Sequence, residues 1–457
     1  MINPVKRTLN FVLVTASLGW ALVLFSQGSL FATTDSTKVI GLKECLGMAL
    51  DYSPRLRTAA LEQQRLRYER TTTLSSGLPQ VNASGTFDDY LSLPTSLIPG
   101  EFFGQPGTMI PVQFGTKYNL AATIDASQLL YSQSFLVSMR LADMMLDRNM
   151  LDIEKMKEEV VFNVAGLYFL TQAVLVQKQN QQENLARLDT MVTVARYQYE
   201  NGLIKRVDLD RINVNRMNLQ TAIENLETVY QQQLSMLKYY MGLDQAALIG
   251  IPVQISDQYF SAMVTGSFEN HIDMRLIRQD KAMTLTNLNL TKAGYIPSLA
   301  AYGRYNYSSQ DNTFTFFGSN SNWYEMALVG IRLDIPVFDG LRKSSQIRQS
   351  KVQLRQLDIQ EEETRKTLGI QLADAARKLK NSRDAWVRQG ENVKLAEQVF
   401  KVSEEQYNQG MITITDVLTT QTDLAEAQVG LVRALVQMKN SELDYMKANG
   451  NILSILN

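Results

Sequence analysis

The sequence predicts a mixed α/β membrane protein built as an internal tandem duplication, with β-strands in the membrane and long helices outside it. Three observations support this fold class. A turn sequence recurs at a fixed offset, short strands of alternating polarity precede very long helical segments, and no run of 18 apolar residues follows the N-terminal segment. A chain without a transmembrane helix can cross a membrane only as a closed β-barrel.

The duplication is visible in two similar turn sequences, at 199–209 and 407–417. Three pairs of identical residues are separated by 208 positions: Gly202 and Gly410, Asp208 and Asp416, and Gly242 and Gly450. A period this long indicates two copies of one large unit rather than a solenoid of short repeats. We therefore predict two structural repeats, 33–268 and 269–457, each made of a helix, a β-hairpin and a long helical hairpin.

The N-terminus has the pattern of a secretory signal peptide. Lys6 and Arg7 precede an apolar run from Phe11 to Phe25, and small and polar residues follow up to Ala32. This order is typical of an export signal, which we assign to 1–32 with cleavage near Ala32. The only cysteine, Cys45, lies within a helical apolar pattern, which predicts a buried thiol rather than half of a disulfide or a lipid anchor.

The charge balance excludes one class of partner. The chain has 45 Lys and Arg against 46 Asp and Glu, a net charge of −1. It therefore lacks the electrostatic attraction that nucleic acid requires, and we expect no nucleic-acid partner.

Four segments alternate between apolar and polar residues, which is the pattern of strands with two different faces. After a helical pattern from Leu42 to Leu74, the first two alternating segments surround a loop rich in Pro, Gly and Phe, at 94–114. The second repeat has the same order. The four segments are 81–88, 118–125, 299–308 and 327–333. We therefore predict one two-stranded hairpin in each repeat.

Two helical stretches, 134–199 and 342–407, follow the hairpins. Each has about 65 residues and would extend about 100 Å, far longer than a globular domain allows. Each then turns at its glycine and returns as a shorter helix. In the last helix, large and small residues alternate along one seam: Val417, Leu424, Leu431, Met438 and Tyr445 with Thr420, Ala427, Ala434, Ser441 and Ala448. This pattern predicts close antiparallel coiled-coil packing.

Four strands are too few to close a barrel, because the smallest transmembrane barrels have about eight. The strands must therefore be pooled between chains, and three chains would supply 12. The apolar strand faces would contact outer-membrane lipid, the polar faces would line a water-filled lumen, and aromatic residues near the strand ends would lie at the interfaces. The long helices of all copies would continue this tube on one side of the membrane.

The arrangement resembles the TolC-like outer-membrane efflux proteins over essentially the whole chain after the signal. The turns at Gly202 and Gly410, the strand entries Leu78-Pro79 and Ile296-Pro297, and the strand exits 128–131 and 335–340 carry the resemblance. It implies a homotrimer with a 12-stranded β-barrel in the outer membrane and a helical coiled-coil tunnel in the periplasm. It also implies a passive exit duct of a tripartite efflux or type I secretion system, fed by an inner-membrane transporter through a periplasmic adaptor.

The resemblance further implies roles for the two turns. Gly202, Leu203, Gly410 and Met411 correspond to the tips that dock the adaptor, while Asp208, Tyr407, Asp416 and Thr419 correspond to the periplasmic constriction. Helix termination by the glycines and helix capping by the aspartates are the structural alternatives. We also expect little room beside the two glycines.

Two positions depart from the family pattern. Ile412 occupies the place of an arginine that links neighbouring subunits, and Thr419 occupies the place of a second aspartate. The closed state must therefore be held differently, and Lys205, Arg206 and Arg211 are the candidate cations.

Catalysis is not indicated. One histidine, one cysteine and no clustered acidic motif give no catalytic or metal site, and there is no phosphate loop, so we expect no enzyme activity and no cofactor. His271 is interpreted as a surface or helix-start residue. The alternative function is a periplasmic coiled-coil scaffold or adaptor that never enters the membrane.

Overall fold

The computed structural model describes residues 38–255, 268–318 and 321–456. The predicted signal peptide lies outside them, and so does most of the segment around the predicted boundary between the repeats. The described residues form eight strands and seven α-helices. The strands are β1 (Lys38–Val39), β2 (Gln80–Asp89), β3 (Thr95–Pro99), β4 (Met109–Gln113), β5 (Tyr118–Tyr131), β6 (Ile249–Gly250), β7 (Ser298–Asp311) and β8 (Trp323–Asp334). The helices are α1 (Leu42–Tyr52), α2 (Pro54–Ser75), α3 (Gln133–Glu200), α4 (Arg206–Met241), α5 (Ile272–Ala293), α6 (Arg342–Asn408) and α7 (Ile414–Ala448).

The duplication is confirmed by the order of these elements. Helix α2, strands β2 and β5, and helices α3 and α4 recur as α5, β7 and β8, and α6 and α7. The long helices α3 and α6 have 68 and 67 residues, so each extends about 100 Å. The return helices α4 and α7 pack against them as antiparallel hairpins. The boundaries 33–268 and 269–457 stay predictions.

The four long strands form one antiparallel sheet in the order β2–β5–β7–β8. Each repeat contributes one pair of strands, and the β5–β7 pair joins the repeats. The register keeps the two faces separate across the sheet. One row consists of Val81, Ala126, Gly303 and Val329, and the adjacent row, on the opposite face, of Asn82, Asp125, Arg304 and Leu328. The predicted alternation is therefore correct.

The polar face of the sheet is held together by side-chain contacts between the repeats. Arg304 Nε donates to Asp125 Oδ1 at 2.6 Å, and Asn306 Nδ2 donates to Thr123 Oγ1 at 2.8 Å. Much of the apolar face is exposed among the described residues, and Val329 on it is 91% exposed. Strands β2 and β8 are the edges of this sheet and pair on one side only.

The predicted loop at 94–114 is not entirely irregular, because it contains the small antiparallel hairpin β3–β4. A second feature absent from the predictions is the parallel pair β1–β6 beside α1. Both are short pieces with little periodicity. In this region α1 and the end of α4 pack on α3, and the Tyr168 hydroxyl donates to Ile40 O at 3.1 Å in the core.

Helix α3 corrects one expectation. It contains an 18-residue window with a mean hydropathy of 1.6, long and apolar enough to cross a membrane by composition, although no such run was predicted. Of that window, 56% is buried within the chain. Val161, Val164 and Tyr168 of this helix belong to the core cluster described above, so packing inside the protein accounts for the apolar character.

The predicted seam of α7 is confirmed. Val417, Leu424 and Met438 are fully buried, and the small residues Ala427 and Ser441 are buried beside them. The half of this seam nearer the turns joins residues of α3, α4 and α6 in a second core cluster, which we call the tip core. Its buried members are Leu188, Met191, Val192, Ala195, Ile212, Val393, Phe400, Ile414, Val417, Leu418, Leu424 and Ala427.

Candidate functional site

The two tip turns, which connect α3 to α4 and α6 to α7, have the same backbone geometry. Gly202 and Gly410 have φ angles of 75° and 74°, in the left-handed region. Leu203 N donates to Gln198 O at 2.8 Å, and Met411 N donates to Gln406 O at 2.9 Å. The glycine amides also donate, Gly202 N to Tyr199 O at 2.9 Å and Gly410 N to Tyr407 O at 2.8 Å. This pair of bonds is the Schellman motif that ends a helix. The positive φ angles therefore favour glycine at both turns.

The two tip glycines have more free space beside them than the sequence analysis predicted. A Cβ atom at Gly202 or Gly410 would have no atom within 4 Å in this chain. The prediction of little room was wrong, because both turns protrude beyond the helix ends. The residues that follow them are also exposed: Leu203 by 74% and Met411 by 68%. The four predicted docking residues thus form two apolar knobs at one end of the molecule.

The second return helix begins with a capping box. Thr413 N and Thr413 Oγ1 both donate to Asp416 Oδ2, at 2.9 and 2.7 Å, and Asp416 N donates back to Thr413 Oγ1 at 3.4 Å. These bonds satisfy donors that the helix itself leaves free. The hydrogen bonds from Thr413 hold the pKa of Asp416 below its ordinary range. Asp416 is exposed and charged while it caps α7.

The first return helix begins differently. Lys205 precedes α4 and provides no side-chain cap. The carboxylate of Asp208, in the first turn of α4, makes no hydrogen bond or ion pair among the residues that the structure describes. Its charge lies close to Tyr407 of the other hairpin: burial and then the Asp208 carboxylate raise the pKa of that phenol. The Tyr407 hydroxyl donates to Gln198 Oε1 on α3 at 2.9 Å.

A second contact joins the hairpins at their ends. Arg211 Nη1 donates to Thr415 Oγ1 at 2.8 Å, one residue before Asp416. Of the other candidate cations, Arg206 pairs with Asp210 on its own helix at 3.7 Å. Thr419 donates to Thr415 O within α7, at 2.9 Å, and contacts no other helix through its hydroxyl. The tip therefore brings together Asp208 with Tyr407, and Arg211 with the start of α7.

Ile412 packs inward at the position where the family pattern has arginine. Ile412 and its equivalent in the first turn, Ile204, are partly buried against the tip core. Each isoleucine closes the end of its hairpin by apolar contact. Their spacing of 208 residues was visible in the sequence, and it would have indicated this shared role.

Farther from the tips, polar residues lie buried between the two hairpins. Asn184 of α3, only 1% exposed, donates from Nδ2 to Gln428 Oε1 of α7 at 3.0 Å. Gln421 of α7 donates to the Asn184 carbonyl at 3.5 Å. Nothing in the periodicity of α3 singled out this amide pair, because its partner is 244 residues away.

His271 is the helix-start residue that the sequence predicted, but it is buried rather than on the surface. It precedes α5, and its Nδ1 accepts a hydrogen bond from Asp273 N at 3.2 Å. Within the described ranges, no group of three or more His, Cys, Asp or Glu side chains is arranged to hold a metal ion.

The family model described as outer membrane efflux protein matches residues 45–243 and 267–451. These two segments cover most of the chain, and the second begins at 267, next to the proposed division between the repeats. The outer membrane efflux protein BepC of Brucella suis biovar 1 (strain 1330) is 24% identical over 260 residues, which are 55% of each chain. That match spans about half of the relative. Outer membrane protein TolC of Vibrio cholerae serotype O1 (strain ATCC 39315 / El Tor Inaba N16961) is 21% identical over 444 residues, 94% of this chain and 95% of that one.

The fold is similar to a solved structure of CusC, described in terms of transmembrane channel formation. The TM-score is 0.70 at 16% identity, covering 91% of this chain and 93% of CusC. At this identity the likeness concerns the fold, and the family match carries the assignment. The four-stranded sheet, the long helical hairpins and both tip turns all lie within the two matched segments. The chain is located in the outer membrane and belongs to the outer membrane efflux protein family.

Proposed function

We propose that this chain forms the passive exit duct of a tripartite efflux or type I secretion system. The observation that carries the proposal is a sheet with one polar and one exposed apolar face, joined directly to helices about 100 Å long. A barrel of such sheets would conduct through the membrane, and the helices would extend the duct into the periplasm. Energy would come from an inner-membrane transporter.

We propose a homotrimer because the sheet is open at both edges. Edge strands expose unpaired backbone groups, which cannot stay unpaired in lipid. Four strands per chain are half of the smallest known closed barrels, whereas three copies supply 12 strands. Strand β8 of one copy would then pair with strand β2 of the next.

The two apolar knobs at the tips support docking of a periplasmic adaptor. Gly202 and Gly410 set the turns, and Leu203 and Met411 present exposed apolar side chains at equivalent places. Two knobs in each of three copies would give six similar contacts around the end of the tunnel. The adaptor would connect this end to the inner-membrane transporter.

The residues behind the knobs support a constriction. Asp208, Tyr407, Asp416 and Thr419 all lie within about one or two turns of the tip glycines. Three copies of an exposed aspartate around a narrow opening form a ring that favours cations. The Tyr407–Gln198 and Arg211–Thr415 contacts hold the two hairpins of each copy together in this state.

Cysteine cross-linking between the sheet edges tests the proposal. Val81 of β2 and Val329 of β8 are the two ends of one row, separated by two strands and therefore by about 14 Å within a chain. A disulfide between an edge cysteine at Val81 and one on β8 must join different copies. We expect covalent species up to three chains in denaturing gels when Val81→Cys is combined in turn with cysteines at 327–331, in a Cys45→Ser background.

The matched control is Val81→Cys with Ala126→Cys, neighbours in one chain, which should close without raising the mass. Species of one chain only, for every β8 position, would contradict the pooled barrel.

The exposed apolar face and the family assignment argue against a scaffold that never enters the membrane. We also infer that the chain is not an enzyme, since its relatives are named as efflux and channel proteins.

A further inference from the structure

A cavity of about 530 Å³ lies where α3, α5, α6 and α7 converge, far from the tip turns. It is bounded by four helices of one chain, and charged side chains make up most of its lining. They are Lys155, Glu158, Glu159, Asp273, Asp374, Lys378, Asp444 and Lys447. Neither the exit duct nor the tip contacts described above use this cavity.

Glu158 is the unusual member of this lining. It is only 6% exposed, and its carboxyl group makes no hydrogen bond or ion pair within the described part of the chain. Two neighbouring acids have partners: Asp273 pairs with Lys155 at 2.8 Å, and Glu154 with Arg275 at 2.5 Å. Burying an ionised carboxylate without a partner is costly, so such a group takes up a proton instead.

The cations nearest to Glu158 are engaged elsewhere. Arg275 is paired with Glu154, and the Lys447 ammonium lies over the ring of Phe162, 4.5 Å from its centroid. Burial, helped by the charges of Glu154 and Asp273 and opposed by Lys447 and Arg275, raises the pKa of Glu158 to about 7. The packing seen in the structure therefore fits the neutral carboxyl.

The cavity lies at a junction between two helices. His271, the cap of α5, contacts the Lys447 carbonyl in the last turn of α7 through Nε2 at 3.2 Å. Because Nδ1 already accepts from Asp273 N, the ring is neutral and Nε2 is the donor. Gly450, with a φ angle of 71°, brings the chain after α7 so close that its added Cβ would lie 3.3 Å from His271 Cα. The end of α7 and the start of α5 are thus held together beside Glu158.

We propose that Glu158 is a proton-binding site that couples pH to the packing between the end of α7 and the start of α5. The neutral carboxyl permits the observed contacts. The ionised carboxylate requires a counter-charge, which it can obtain by drawing Lys447 away from Phe162. That movement of Lys447, in the last turn of α7, loosens the junction. This inference goes beyond the exit-duct function and does not depend on it.

Helix α7 connects this site to the second tip turn. It begins at Ile414 beside the capping box and ends at Ala448 beside the cavity, 35 residues or about 52 Å away. A rigid helix transmits a displacement at one end to the other.

The surrounding charges set the pH window. The cavity is lined by Lys155 and Glu159 on α3, His271 and Asp273 at α5, Asp374 and Lys378 on α6, and Asp444 and Lys447 on α7. Glu154 and Arg275 lie outside this lining and also act on Glu158 through their charges. Burial lowers the pKa of His271, so this ring stays neutral while Glu158 titrates. A carboxyl whose pKa is raised on folding destabilises the fold as pH rises from its unfolded value of 4.5 towards about 7.

Thermal unfolding of the full chain in detergent tests the site. Midpoints would be measured at several pH values between 5 and 8 for the parent, Glu158→Gln and Glu159→Gln. Glu159→Gln changes a more exposed neighbour and serves as the control. As pH rises across this range, we expect the unfolding midpoints of the parent and of Glu159→Gln to fall by several degrees more than that of Glu158→Gln. Equal losses for all three proteins would overturn the proposal.

A second variant keeps the test independent of whether Glu158→Gln folds. Lys447→Met removes a cation that favours the charged carboxylate of Glu158. The pH at which this variant loses half of its pH-dependent thermal stability should therefore be higher than in the parent. The protonated carboxyl should also give a C=O stretching band in infrared difference spectra at pH 6 that disappears by pH 9. An unchanged midpoint in Lys447→Met, or no such band at pH 6, would show that Glu158 is ionised and the proposal wrong.

Discussion

Arg211 and Thr415, 204 residues apart in the sequence, join the two tip turns through a hydrogen bond of 2.8 Å between Arg211 Nη1 and Thr415 Oγ1. Arg211 lies near the start of α4, and Thr415 lies in the first turn of α7. The contact therefore connects the first residues of both return helices. It provides a cation at the tip from the first repeat, where the second repeat has Ile412 in place of the arginine of related proteins.

We predict that Arg211→Gln favours the open tip. An exposed polar contact of this kind contributes about 0.5–1 kcal/mol, so its loss should raise the ratio of open to closed states about 2- to 5-fold. Single-channel recording would show this as a greater open time or mean conductance. Arg206→Gln is the matched control, because among the described residues Arg206 pairs only with Asp210 of its own helix. If Arg206→Gln opens the tip as much as Arg211→Gln does, the effect comes from the loss of one positive charge and not from the loss of the hydrogen bond to Thr415.

The tip glycines should tolerate asparagine better than valine. The φ angle of 74° at Gly410 is costly for a β-branched residue and less so for asparagine, while the open space accepts either side chain. We therefore expect Gly410→Val to increase amide hydrogen exchange at the turn and to reduce adaptor cross-linking, with the trimer intact. Gly410→Asn should stay near the parent in both. Equal loss of cross-linking in both variants would indicate contact of the glycine surface itself with the adaptor.

The main architecture could be predicted because periodic patterns in the sequence indicate its strands and helices. Alternating apolar and polar residues indicated each strand of the large sheet, although the strands extend beyond the predicted segments. The seven-residue spacing that includes Val417, Leu424 and Met438 indicated the buried seam of α7. The repeat offset of 208 residues located both turns. The strand and seam patterns depend only on residues near one another along the chain, and the repeat offset is found by comparing the sequence with itself.

The details of the tip could not be predicted in this way, since they depend on which helices meet. Tyr407 hydrogen-bonds to Gln198, and Asn184 to Gln428, and in both pairs the partners are more than 200 residues apart in the sequence. Glu158 was equally hidden, because a glutamate beside Lys157 and Glu159 reads as a solvated helix face. Its burial follows from the junction of α5 and α7, which no periodicity describes.

The buried amide pair offers a test of packing between the hairpins. Asn184→Ala should destabilise the protein by about 1–3 kcal/mol, because Gln428 would be left buried without its donor. The double variant Asn184→Leu with Gln428→Leu should recover most of this loss, since no polar group remains unpaired. Chemical denaturation of the parent, both single variants and the double variant forms a double-mutant cycle, which gives the coupling free energy between Asn184 and Gln428. Additive losses would show that the two amides do not act as a pair.

The single thiol should be inert in the folded protein. Cys45 is 1% exposed, and burial, with a smaller effect of Glu44, raises its pKa to about 12. Only the thiolate reacts with maleimides or disulfide reagents at a useful rate. We expect no labelling of the native protein at pH 8 and complete labelling in denaturant. Rapid labelling without denaturant would mean that the region around α1 opens locally.

The capping box separates two roles of Asp416 that one substitution would confuse. Asp416→Asn keeps an oxygen that can accept from Thr413 and removes the negative charge, whereas Asp416→Ala removes both. If three copies of Asp416 line the constriction, both variants should lose cation selectivity and bind trivalent blockers more weakly in single-channel recordings. Only the alanine variant should also destabilise the start of α7, by about 1 kcal/mol.

The pH dependence follows from the same contacts. The Thr413 hydrogen bonds lower the pKa of Asp416, so its charge and its capping contribution are present at neutral pH and are lost only as pH falls below the ordinary range of an aspartate. Selectivity that depends on Asp416 should therefore persist at about pH 4, where an unperturbed aspartate is half protonated. Recordings of the parent and Asp416→Asn at pH 7 and pH 4 measure this. If Asp416→Asn selects cations as well as the parent at both pH values, Asp416 only caps α7 and the selective ring is built from other residues.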